Sequence, residues 1–280
     1  MFFINNDEGQ SQKWRLKGHA RDEFWRWMAQ WSVMIQRPSD LGFNDDGYNL
    51  PPLNYHHVVT DGKPLEGFLF PMEAKTMPER QQARRESIGD RVGACADKIT
   101  EIQSRHPSKW LVWCNLNNEQ DALEKALKEK GISFVSIKGS TLQDQRDAML
   151  EQWQSGGKDV LITKPSVYGF GLNFQFCHYM AFLGLSDSFE SMYQAVRRCW
   201  RYGQVHPVDV HIITSETEGA VVKNIQRKES DFYKMSDAMV KHMKDLSIRE
   251  VTQLSRQSDG YKPTSKMILP QFMEMENGSH

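Results

Sequence analysis

Five strand-length apolar runs lie between residues 109 and 213, all but the third followed by a polar stretch of helical character. They are KWLVWC (109–114), FVSI (134–137), DVLIT (159–163), YMAFL (179–183) and VDVHII (208–213). The runs are mostly apolar rather than alternating, the pattern of strands buried on both faces. Between them, Asn117 is placed to cap a helix ending near Lys130, with Gly131 as its stop. Thr141 and Asp144 have capping-box spacing for a helix to Gln154. Ser188 is placed to cap a helix through Trp200, and a further helix is expected from Gly219 to Met243. Such alternation predicts an α/β fold, a parallel sheet flanked by helices.

The first 70 residues read differently. Phe24, Trp27, Met28, Trp31 and Ile35 recur at helical spacing, so a helix with one apolar face is expected from Ala20 to Gln36. The Arg37–Pro38 step ends it. Residues 44–52, rich in Asn, Asp, Gly and Pro, read as loop. That aromatic face calls for a neighbouring body of protein to cover it; base stacking is the alternative use. A single long helix is expected from Met72 to His106, with Ile88, Val92, Cys95, Ile99 and Ile102 as its apolar stripe and Pro107 as its stop. The end of the chain reads as a loose polar tail.

Charge and composition exclude several classes. Lys plus Arg number 35 and Asp plus Glu 36, a formal charge of −1, so the chain is not a polycation that coats nucleic acid. No run approaches the ~18 apolar residues of a membrane helix. The start, MFFINNDEG, lacks the basic segment of a signal peptide. The four cysteines, Cys95, Cys114, Cys177 and Cys199, form no CxxC pair and read as buried thiols of a reducing compartment. No metal-ligand spacing stands out, and His56–His57 reads as a strand-end accident.

Two windows carry chemistry. QAVRRCWRYGQ (194–204) holds three arginines and no acid. On a helix, Gln194, Arg198 and Arg201 share one face, suited to a polyphosphate. The window follows a strand, and α/β folds place ligands at strand carboxyl ends. In ITKPSVYGFGLNF (162–174), Gly169 and Gly171 after a strand allow close backbone approach by a ligand.

In order and separation, these windows resemble motifs V and VI of the superfamily 2 helicases, nearest the Swi/Snf-like branch and its phage and bacterial members. KWLVWCNL (109–116) resembles motif IV, and IKGST (137–141) with Arg146 and Trp153 resembles the next element, which touches the nucleic-acid backbone. WRLKGHARDEFWRWMAQW (14–31) and PSDLGF (38–43) resemble the end of the first motor domain in phage-type members. The sequence departs from the pattern at Arg197 and at Pro165–Tyr168.

The resemblance implies a RecA-like second motor domain over residues 71–245. It also implies a mostly helical remnant of the first motor domain with a linker over 1–70, and a polar tail over 246–280. The chain would be the carboxyl-terminal half of an ATP-driven DNA helicase or translocase in the cytoplasm of a bacterial or phage-infected cell. ATP with Mg²⁺ would lie against the missing amino-terminal RecA-like domain. Arg198 and Arg201 would act as arginine fingers on it, Gln194 would hold that contact, and Gly169 and Gly171 would let the backbone approach the nucleotide. Ser140, Thr141, Thr163 and Lys164 would grip phosphates of DNA. No GxxxxGK[ST] P-loop is present, and Asp7–Glu8 only imitates a DExx box, so the chain is not expected to hydrolyse ATP alone. A non-catalytic DNA- or protein-binding module of RecA-like shape stays open as the alternative.

Overall fold

The computed structural model describes residues 2–8, 11–28, 30–32, 34–61, 76–169 and 171–251. They divide into two compact units, residues 1–44 with 234–280, and residues 45–233.

The smaller unit begins with an antiparallel hairpin of β1 (Phe3–Glu8) and β2 (Ser11–Leu16), Phe3 opposite Leu16. Asp7–Glu8 lies beside the hairpin turn. The helix α1 (Arg21–Met28) is about half the expected length; beyond it the Ser32 hydroxyl and amide both donate to the Met28 carbonyl, at 2.7 and 3.0 Å. Its aromatic face buries nothing completely. Phe24 instead meets Phe2 and Phe3 edge-on at 5.5 and 5.3 Å, and Trp31 stays 60% exposed. The remnant expected to be mostly helical is therefore part hairpin.

The larger unit is a six-stranded parallel sheet. In chain order it contains β3 (Leu53–Thr60), α2 (Met77–Glu86), α3 (Ile88–Arg105), β4 (Trp110–Cys114), α4 (Asn117–Glu129) and β5 (Phe134–Ser136). Then come α5 (Gln143–Gln154), β6 (Val160–Thr163), the single turn α6 (Pro165–Tyr168), β7 (Tyr179–Leu183), α7 (Phe189–Val196), β8 (Val208–Ser215) and α8 (Gly219–Val251), which belongs to this unit up to residue 233. The strand order is β3-β8-β7-β4-β6-β5. Trp110, Val112 and Cys114 pack with Val92, Cys95 and Ile99 of α3 and Leu123 and Leu127 of α4. Leu111 and Trp113 face the opposite way, toward Trp153 of α5, Tyr168 of α6, Met192 of α7 and Val221 and Ile225 of α8. With both faces covered, most inward positions are apolar, which makes these strands readable as continuous runs. The four cysteines are buried and unpaired.

Several expectations need correction. β3, of which the sequence marks only His56–His57 as a strand end, pairs in parallel with β8 along its whole length, so the sheet-bearing unit starts near residue 45 rather than 71. Asp209 accepts from Asn54 Nδ2 at 3.1 Å and pairs with His56 Nε2 at 2.7 Å, which ties this polar edge strand down. The helix expected over 72–106 is two helices broken at Ser87, whose hydroxyl donates to the Ala83 carbonyl at 2.8 Å. Thr141 does not cap α5; its hydroxyl accepts from Lys138 N at 3.0 Å instead. Asn117 is the first residue of α4 rather than its cap. α7 stops at Val196, four residues short of the expected end. Residues 62–75 lie outside the described residues; of the tail expected over 246–280, residues 246–251 still belong to α8, and 252–280 lie outside the described residues. Among the described residues, no helix is long and apolar enough to cross a membrane.

His211 of β8 is 6% exposed, stacked on His56 at 4.7 Å and near Trp110 at 5.4 Å. Burial, then His56 and Lys98, push its pKa down to about 4, against the pull of Asp209 and Glu101. The unfolded chain takes up this proton near pH 6.5 and the native chain does not, so stability is full above that pH and falls toward pH 4. We expect His211→Gln to remove up to about 3 kcal/mol of this acid sensitivity. Urea midpoints measured from pH 7 to 4.5 check it; parallel losses in both chains contradict it.

Candidate functional site

The residues singled out from the sequence fall into two groups, at opposite ends of the sheet. The first group lies at the carboxyl ends of β5 and β6. Thr141 N donates to the Lys138 carbonyl at 3.1 Å, closing a turn that presents Ser140 to solvent. Arg146 clamps this turn, donating to the carbonyls of Thr141 at 2.8 Å and Gly139 at 2.5 Å. Lys164, just past β6, is partly exposed and donates to Asn117 Oδ1 at the start of α4. Thr163 is different: its side chain is fully buried and its hydroxyl donates to the Ile137 carbonyl at 3.1 Å. It joins the ends of two strands and is not available to grip a phosphate. Trp153 is likewise buried, edge-on to Phe174 at 5.3 Å, and does not reach a nucleic acid.

The second group lies at the amino-terminal end of the sheet, not at the carboxyl end expected for it. Trp200 Nε1 donates to the carbonyl of Pro51, just before β3, at 2.8 Å. Gln204 Nε2 donates to the carbonyl of Cys177, just before β7, at 3.1 Å. α7 has crossed the sheet by then, and residues 197–204 form turns. Gln194, Arg198 and Arg201 therefore do not share a helical face. Arg198 N donates to the Ala195 carbonyl at 3.2 Å, a turn rather than a continued helix.

The arginines of this turn differ sharply. Arg198 is committed to its own domain: Nε donates to the Gln194 carbonyl at 3.1 Å and Nη1 to the Leu172 carbonyl at 2.9 Å. Its own carbonyl accepts from Phe174 N at 2.8 Å, so the glycine-rich loop and the arginine turn are laced together. Burial, then the charges of Arg201 and Arg197, lower its pKa below the usual arginine value. Arg197 lies over the Trp200 ring at 5.2 Å. Arg201 is partly exposed and, among the described residues, makes no side-chain hydrogen bond or ion pair. Three guanidinium groups without a carboxylate partner among the described residues make this turn suited to an anion.

The loop itself explains its glycines. A Cβ on Gly169 would come within 2.3 Å of the Pro165 carbonyl oxygen, so only glycine lets the chain fold back on α6. Gly171 has φ +87 and open space where a side chain would stand. Gln204, whose structural part the sequence did not disclose, is buried; its Oε1 accepts from the amides of Val205 and His206, both at 3.0 Å. The only sequence signal for it is the glutamine after a turn glycine.

Residues 94–203 match the family model described as helicase conserved C-terminal domain. Both groups of site residues fall within that match. The chain is 28% identical over 120 residues to "ATP-dependent RNA helicase eIF4A" of Yarrowia lipolytica, covering 43% of this chain and 30% of that protein. It is 28% identical over 109 residues to "Pre-mRNA-splicing ATP-dependent RNA helicase prp28" of Neosartorya fischeri, covering 39% of this chain and 13% of that one. The chain thus spans less than a third of the length of these relatives. The solved C-terminal part of the Fun30 ATPase domain aligns with TM-score 0.46 at 17% identity, covering 65% of this chain and 58% of that one. These relatives are eukaryotic, so the helicase kinship is not specifically to phage or bacterial members.

Turn architecture and anion contact should separate on mutation. Gln204→Leu leaves buried amides and carbonyls unpaired and is expected to cost about 1–3 kcal/mol. Arg201→Ala is expected to stay within about 0.5 kcal/mol of the parent. Urea midpoints check both; an Arg201→Ala loss as large as that of Gln204→Leu would mean that Arg201 is a structural residue.

Proposed function

We propose that this chain is the second motor lobe of an ATP-driven helicase or translocase of the Swi/Snf-like branch, working on DNA. Arg201 is its arginine finger. The observation that carries this reading is the contrast within one turn: Arg198 is spent on two backbone carbonyls, while Arg201 is held beside it with its guanidinium uncommitted. Arg198 is thus the residue that sets the turn, and Gln194 serves through its carbonyl. Gly171, with room around it, is where the backbone can approach a nucleotide.

ATP with Mg²⁺ would be held by a P-loop-bearing first motor domain, since this sequence has no P-loop. The bound nucleotide supplies the phosphoanhydride to be broken. A guanidinium aimed at the γ-phosphate stabilises the charge that develops there. At the other end of the sheet, Ser140, Thr141 and Lys164 would contact phosphates, which positions a strand without reading its sequence. DNA is our choice because QAVRRCWRYGQ resembles the Swi/Snf-like pattern; the curated relatives above are named as RNA helicases, so RNA is the necessary comparison.

The test is steady-state ATP turnover. The isolated chain should be inactive. Joined by its P-loop domain, it should hydrolyse ATP with stronger stimulation by DNA than by RNA, and Arg201→Ala should lower that rate about 10³-fold. Lys164→Ala should reduce the salt slope of nucleic-acid binding by about one. Vigorous turnover by the chain alone, or an Arg201→Ala motor with parental rate, overturns the assignment; stimulation by RNA alone overturns the choice of DNA.

A further inference from the structure

Arg91 of α3 is fully buried at the carboxyl edge of the sheet, where it meets two buried carboxylates. Nη2 pairs with Glu119 Oε1 at 2.8 Å and Nε lies 3.3 Å from Glu218 Oε2. Ser87 Oγ accepts from Nε at 3.0 Å and the Arg84 carbonyl accepts from Nη2 at 2.5 Å. Each carboxylate also binds the backbone at the end of a strand. Glu119 Oε2 accepts from the amides of Asn115 and Leu116 after β4, at 2.8 and 2.9 Å. Glu218 Oε2 accepts from Ser215 N at the end of β8, at 3.0 Å.

Between them runs the loop that leaves β7 and leads to α7. Its first residue, Gly184, has φ +79, and a Cβ there would stand 2.7 Å from Arg91 Nη1. Arg84, which pairs with Glu218 at 3.5 Å, donates to the Leu185 carbonyl. Asp187 takes Arg80 Nη1 at 2.8 Å and Asn224 Nδ2 at 3.2 Å. Ser188 then caps α7, its hydroxyl accepting from Ser191 N at 3.2 Å. After the eight residues of α7, about two turns of helix, the chain reaches the arginine turn.

We infer that Arg91 is a positioning residue for the arginine finger: it seats the β7–α7 loop against the ends of β4 and β8, and so sets where α7 delivers Arg198 and Arg201. This rests on the reading of Arg201 given above. A forked guanidinium fits because it reaches two carboxylates and a hydroxyl at once, and the missing Cβ of Gly184 leaves room for its Nη1. An ammonium in its place keeps the charge and loses the fork.

The experiment uses Arg91→Lys and Gly184→Ala, with Glu119→Gln in reserve should either fail to fold. In the full chain, hydrogen exchange should be at least ten-fold faster over residues 184–196 in each variant, with β4 and β6 unchanged. In the motor completed by its P-loop domain, each variant should lower kcat at least ten-fold with the KM for ATP within two-fold. In an Arg201→Ala background, Arg91→Lys should cause no further loss, which a merely structural residue would not obey. The double variant Arg91→Lys, Gly184→Ala should match the singles rather than multiply them. Unchanged exchange over 184–196, or a further ten-fold loss in the Arg201→Ala background, overturns the inference while leaving the function of Arg201 standing. Parental turnover of Arg201→Ala itself overturns the reading beneath it.

Discussion

A single guanidinium, that of Arg91, is locked between two carboxylates with no access to water, and the carboxyl edge of the sheet is organised around it. A buried charge without a partner costs several kcal/mol, so each of these three groups requires the others. The geometry extends the requirement to backbone. Glu119 binds the amides after β4, Glu218 binds the amide at the end of β8, and the glycine after β7 lies against the guanidinium itself. Three neighbouring strands therefore end in register with one another, and the loops that follow start from fixed places. Gln120 extends the same logic to the outer strands, donating to Ser136 Oγ at 2.8 Å and to the Ile137 carbonyl at 3.2 Å.

From this edge, the length of a strand separates the two groups of residues. The carboxyl end of the sheet offers the turn around Ser140 and Thr141, clamped by Arg146, and Lys164 tethered to Asn117. The amino-terminal end holds the cationic turn. What makes that turn suited to an anion is division of labour among like residues. Arg198 satisfies carbonyls of its own chain, Arg197 rests on an aromatic ring, and Arg201 is left for something outside the described residues. A turn whose shape is fixed by Arg198 and Gln204 can present a third arginine without reorganisation, which is the condition for electrostatic stabilisation to be effective.

The parts legible in the sequence were those set by one-dimensional pattern. Strands β4, β6, β7 and β8 are buried on both faces, so their apolar runs stood out. β3 did not, because an edge strand with Asn54, His56 and His57 alternates like a loop and owes its place to Asp209, 155 residues away from Asn54. Thr163 looked like a surface hydroxyl after a strand; one residue of register decides that it turns inward to Ile137. The helix face proposed for Gln194, Arg198 and Arg201 failed because α7 ends at Val196, where tertiary bonds to Leu172 and Phe174 replace helical ones. The sequence marks Arg91 only by its place: it lies three residues after Ile88 and four before Cys95, on the apolar stripe itself, where a charge has to find a buried partner.

On the proposed function, Arg201 meets the γ-phosphate only as charge develops there. The most direct measurement is trapping of ADP with aluminium fluoride, a mimic of the transferring phosphoryl group, in the motor completed by its P-loop domain. Arg201→Ala should weaken capture of that complex at least a hundred-fold while leaving ADP affinity within two-fold. Equal capture by parent and variant would contradict the account.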